Sequence, residues 1–201
     1  MEFHIIELPD KPTGYVHIST SSDWEGWIKV SLPAGLHGDI EKRLISNLKH
    51  ILAGLELKTA LIVPHARFKN EPSLLFEPYF QGMIFDFCVG VFSLCEGLGS
   101  AHYLREKNLD GSASDQIRPG EWRPALARKF DPAKQHSLDA DVGEAKKVRD
   151  KLHQDHLGAR TEIDWHAFSY NGAFVPAARA VKALLKTNPD KLPAGTNLNG
   201  D

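Results

Sequence analysis

Between Tyr79 and Lys107 the chain runs for nearly thirty residues with no proline, and its apolar side chains recur at helical spacing. Phe80, Met83, Ile84, Phe87, Val91, Leu94 and Leu98 fall on one side of such a helix. Gly82, Asp86, Gly90, Ser93, Gly97 and Ser100 form a second stripe of mostly small residues. An apolar helix of that length must be buried by other elements, which points to a helical bundle. Small residues in register allow close approach of another helix, either from the same chain or across a dimer interface. The most apolar window, "GMIFDFCVGVFSLCEGLG", is long enough to suggest a membrane span. It also carries Asp86 and Glu96 and has no comparable second span, so a buried bundle helix is the expectation.

The rest of the chain supplies partners for that helix. "LHGDIEKRLISNLKHILAGLEL" places Leu36, Ile40, Leu44, Leu48, Ile51, Leu52 and Leu55 on one face of an amphipathic helix from Leu36 to Leu57. "VPHARFKNEPSLLFEP", with three prolines, reads as a connector. Residues 108–140 read as irregular, with a helical turn or two at "EWRPALARKF". Another helix is expected from Asp141 to Leu157, with Gly158 as its C-terminal cap, and a last one starts at Pro176. Ahead of the bundle, "FHIIEL", "GYVHIST" and "WIKVSL" are β-branched or aromatic and separated by turn residues, so they read as short strands. The expected fold is mainly α, an antiparallel helical bundle over residues 35–187. A small β-rich extension over residues 1–34 precedes it, and a disordered tail over residues 188–201 follows.

Composition narrows the function classes. With 201 residues, 42% of them hydrophobic, and a net charge of -2, the chain can bury a core but gives no bulk electrostatic argument for nucleic-acid or membrane binding. Cys88 and Cys95 would share a helical face about 10 Å apart, too far for a disulfide. Two reduced, buried thiols point to the cytoplasm. Neither Gly-x-Ser-x-Gly nor Gly-x-x-x-x-Gly-Lys occurs.

The chemistry-bearing stretch is "KKVRDKLHQDHLG", residues 146–158. On a continuous helix, residues seven apart are rotated by only about 20°, so Arg149 and His156 would point the same way. A guanidinium there could hold phosphate oxygens while an imidazole moves a proton near neutral pH. The same spacing recurs at Arg43/His50 and Arg160/His166. Arg149 stands apart by the polar Asp150 after it and its position late in the bundle. His153 and His156, three apart, also share a face and could hold a metal with Asp155 or His166, although the His-Glu-x-x-His spacing is absent. The plainest alternative is a solvated helix face with incidental charge pairs.

An arginine followed by a polar residue and, after six intervening residues, a histidine resembles the signature of the HEPN family. The long apolar helix before it resembles that family's earlier helix. The resemblance covers residues 76–187. It implies a four-helix bundle and a metal-independent endoribonuclease acting as a homodimer on RNA, with no cofactor. Some members have lost catalysis and bind RNA, a nucleotide or a protein partner. Carried onto this sequence, it makes Arg149 and His156 the catalytic pair, with Asp150 orienting the arginine and His153 secondary. Glu96 and Asp86, acids on an apolar helix, are candidate partners for Arg149 because a buried carboxylate needs one.

Overall fold

In the computed structural model, residues 6–7, 16–67, 79–109, 117–151, 165–194, 196 and 198 are described. Six α-helices occur among them: α1 (Glu25–Ser31), α2 (Gly38–Arg67), α3 (Tyr79–Glu106), α4 (Pro119–Phe130), α5 (Leu138–Asp150) and α6 (Val175–Leu185). The protein is mainly helical, as the periodicity requires. α3 is the hub and packs against α2, α4, α5 and α6, while α5 also packs along α6. Ile84, Phe87, Cys88, Val91, Leu94, Cys95 and Leu98 are fully buried. By length and composition α3 could cross a membrane, and half of its apolar window is covered by the neighbouring helices.

The small-residue stripe is used inside the chain. A Cβ on Gly90 would lie 3.0 Å from Leu55 Cδ2, and one on Gly97 would lie 3.0 Å from Leu48 Cδ2. These two glycines let α2 seat its leucines against the α3 backbone. Gly82 has open space beside it. On the neighbouring face, a Cβ on Gly99 would meet Trp122 Cε3 at 2.7 Å and the Trp122 carbonyl oxygen at 2.8 Å, so α4 also crosses at backbone contact. The stripe was a candidate surface for a second copy; at Gly90 and Gly97 it is covered by α2.

The β-rich N-terminal extension is not borne out. "WIKVSL" lies mostly in α1, and Trp24, Trp27, Ile28 and Ser31 are buried at i, i+3, i+4 and i+7. That helical set outcompetes the alternating one, in which Val30 would be inward; Val30 is 43% exposed. From the other two expected strands, Ile6–Glu7 and Val16–His17 form a two-residue antiparallel ladder, with Ile6 opposite His17. Trp24, Trp27, Ile28 and Leu32 belong to the same core as α2 and α3, so the hydrophobic core extends across residue 34. His102 of α3 secures this junction, its Nε2 lying 2.9 Å from the Ser31 carbonyl oxygen.

Three further boundaries differ from the sequence reading. α2 continues through Pro64 to Arg67, into the expected connector. Residues 119–130 form a full helix, because Trp122, Ala125, Leu126 and Phe130 present a buried stripe and Pro119 suits a first turn. Its start is fixed by Glu121, whose carboxylate accepts the Arg118 amide at 2.7 Å and the Tyr103 hydroxyl at 2.8 Å. The start of the expected tail is ordered: Pro189–Lys191 form a 3₁₀ turn, Pro193 is buried, and Leu192 packs against the core. The helix start expected at Pro176 holds, with Pro176 in the first turn of α6.

Cys88 and Cys95 are free and buried. Burial pushes both thiols up to about 12, so they stay protonated and inert.

Candidate functional site

α5 ends where its cations are best placed, since the partial negative charge of a helix C-terminus favours Lys and Arg in the last turn. Arg149 is half-buried there. Its guanidinium carbon lies 5.2 Å from the centroid of the Phe92 ring on α3, a cation–π contact against a side chain only 2% exposed. Phe92 in turn meets Trp122 edge-on at 5.5 Å. Arg149 Nη1 donates to Asp150 Oδ1 at 2.9 Å, and Lys146 one turn earlier pairs with the other oxygen of Asp150. Partial burial acts to raise the Asp150 pKa. The hydrogen bonds from Lys146 and Arg149 outweigh it and hold the carboxyl below its ordinary value. Asp150 is therefore an anion at neutral pH, set between two cations.

Beside this cluster lies an aromatic group. Lys151 Nζ sits 5.1 Å from the centroid of Phe168, which is fully buried. Phe168 tilts against Phe85 of α3 at 5.5 Å and meets Trp165 edge-on at 5.3 Å. Trp165 stays 39% exposed, in the 3₁₀ turn Trp165–Ala167. Phe85 and Phe92 are seven apart on α3, hence on one face; Arg149 lies over Phe92 itself, and Lys151 lies over Phe168, which packs against Phe85. The sequence reading missed these aromatics. Their signal was the pair Trp165 and Phe168 shortly after the polar strip.

The structure brings together Arg149 and Asp150 of the expected site. His153 and His156 lie outside the described residues, as does Asp155. The helix expected to run to Leu157 is described only as far as Asp150, with Lys151 capping it in a helical conformation. Asp86 is exposed and Glu96 is half-buried, and among the described residues neither pairs with Arg149. The guanidinium is already served by its chain neighbour Asp150, so neither acid of α3 fills the expected role. Arg43 and His50, which share the motif spacing, are both exposed on α2, and His166 is exposed beside Trp165.

Comparison with protein-family models, with curated proteins and with solved structures gives no match for this chain.

Proposed function

We propose that the chain is a metal-independent endoribonuclease of HEPN type, in which the 2′-hydroxyl attacks the adjacent RNA phosphodiester at a twofold interface between two copies. The observation that supports this reading is the setting of Arg149. It ends a late bundle helix, packs over Phe92 of the long apolar helix, and is oriented by the polar residue that follows it. A guanidinium fixed in this way loses little freedom when it binds phosphate oxygens, and it stabilises the charge that grows on them in the transition state. His156 transfers the proton. Cleavage needs a base for the 2′-hydroxyl and an acid for the leaving oxygen, and two copies of His156 across a twofold axis supply both. The reading carries with it a cytoplasmic homodimer with RNA as substrate.

The pairing of Arg149 with Asp150 favours a second reading. An arginine already neutralised by a neighbour serves a non-catalytic module that binds RNA, a nucleotide or a protein partner.

RNA cleavage in EDTA separates the two. Under the first reading, wild type cleaves and His156→Ala loses about 10²-fold or more in rate while keeping RNA affinity. Arg149→Ala lowers both binding and rate. Equal activity in wild type and His156→Ala, or activity abolished by EDTA, rejects the mechanism. An inactive wild type that still binds RNA leaves the second reading. A monomeric mass at micromolar concentration also rejects the nuclease reading, because one chain then lacks the second histidine.

A further inference from the structure

The chain has four tryptophans, and three of them, Trp24, Trp27 and Trp122, are fully buried. Trp165 is the exception at 39% exposed. Single exposed apolar side chains are common on any protein surface and call for no explanation. What sets Trp165 apart is how firmly it is held. It opens the 3₁₀ turn Trp165–Ala167, which is closed by the Phe168 amide donating to the Trp165 carbonyl at 3.0 Å. Its ring meets Phe168 at 5.3 Å with 81° between the planes, and Phe85 of α3 at 6.4 Å with 72°. Phe168 is fully buried and Phe85 is 9% exposed. Two core rings therefore fix the indole, and neither lies parallel to it, so neither takes the stacked position on it.

A cation stands on the other side of the same buried ring. Lys151 is exposed, and its Nζ lies 5.1 Å from the centroid of Phe168. Among the described residues Lys151 is in no ion pair. Arg149, two residues earlier, is shared with Asp150, so Lys151 is the cation of this cluster that no described carboxylate holds. Lys151 and Trp165 thus flank Phe168, one carrying charge and the other an open aromatic surface. Proteins that hold unpaired nucleotides combine these two elements: an aromatic ring stacks on the base, and a cation meets the phosphate beside it. An incidental surface tryptophan would have neither the two-ring clamp nor the neighbouring ammonium.

We infer that Trp165 is a stacking surface for an unpaired base, and that the substrate class is single-stranded RNA. The inference rests on the reading of this chain as one that acts on RNA. A base inside a duplex has both faces covered by its neighbours, and an A-form duplex is recognised by its shape and backbone instead. A rigid indole beside a single ammonium offers no surface shaped to a duplex. Every base has a π-face, so the selection is by strandedness and not by sequence.

The test uses the full-length protein in EDTA. It is titrated with an end-labelled mixed-sequence oligoribonucleotide and, separately, with the same strand annealed to its complement. Anisotropy of the label gives affinity, and tryptophan emission reports the stack. Because the other three indoles are fully buried, quenching by a stacked base belongs to Trp165. Saturable, quenching binding of the single strand is expected, with the duplex about tenfold weaker or more. Trp165→Leu should lower affinity for the single strand roughly tenfold, within the span found on truncating a stacking aromatic, and Trp165→Phe should recover most of it. Leu57→Ala, which trims a similarly exposed apolar side chain on α2, should bind as wild type does. Acrylamide quenching of the wild type needs no variant: bound single strand should shield the exposed indole. Unshielded emission at saturation overturns the proposal, and so does equal affinity for the two strand forms or for Trp165→Leu and wild type. Stacking without cleavage rejects the nuclease reading and leaves this site standing. Cleavage by wild type with unchanged tryptophan emission rejects this site and leaves that reading standing. Binding of neither strand form overturns both.

Discussion

Trp122→Ala is expected to lower the free energy of unfolding by about 3–5 kcal/mol, the range for truncating a large aromatic in a packed core. Trp122 is fully buried, and its indole fills the space that Gly99 leaves on α3. It also meets Phe92 edge-on at 5.5 Å, and Phe92 carries Arg149. Its Nε1 makes no hydrogen bond among the described residues, so almost the whole loss is apolar contact and cavity formation. α3 and α4 touch at backbone distance and cannot collapse further to close the hole, which places the loss in the upper part of the range. Urea denaturation followed by circular dichroism measures it. A loss under about 1 kcal/mol with an unchanged denaturant slope would show that Trp122 is not a packing centre. Gly99→Ala probes the same contact from the other side and should destabilise by about 1–3 kcal/mol through overpacking.

Glu56→Ala is the second large effect, expected at about 3 kcal/mol or more. Glu56 is fully buried on α2, and among the described residues its carboxylate accepts three hydrogen bonds. The Ser19 amide donates at 3.1 Å, the Ser19 hydroxyl at 3.1 Å and Trp24 Nε1 at 3.3 Å. Alanine leaves these buried donors without that acceptor, and each orphaned group costs about 1–3 kcal/mol. The bonds also tie the segment entering α1 to α2, so thermal unfolding of the variant should begin with release of α1. Glu56→Gln retains one acceptor oxygen but turns an amide N–H₂ toward donors, and its stability should fall between wild type and Glu56→Ala. A melting temperature for Glu56→Ala equal to that of wild type would rule out a structural role for the carboxylate.

How far the sequence could be read differs from element to element. The hub helix was legible because apolar residues cover most of its surface, and only burial on several sides satisfies such a pattern. The face of α2 was legible for the related reason that its leucines repeat at helical spacing. α1 was misread because "WIKVSL" is compatible with both periods. Trp24, Trp27, Ile28 and Ser31 decide in favour of the helix only once α2 and α3 are there to bury them. α4 was underread because its prolines and flanking glycines resemble a loop, while its buried stripe shows its worth only against Gly99.

The candidate site divides in the same way. Arg149 and Asp150 were legible as a polar pair late in the bundle, because adjacent residues need no tertiary information to meet. That the guanidinium lies over Phe92, and that neither Asp86 nor Glu96 pairs with it, depends on how α3 and α5 cross. The sequence by itself determined that the chain folds as a helical bundle around one long apolar helix, because hydrophobic periodicity is a local property of the chain. Which aromatic rings the cations meet and which small residues are covered were decided by tertiary structure alone, because each depends on distances between residues far apart in sequence.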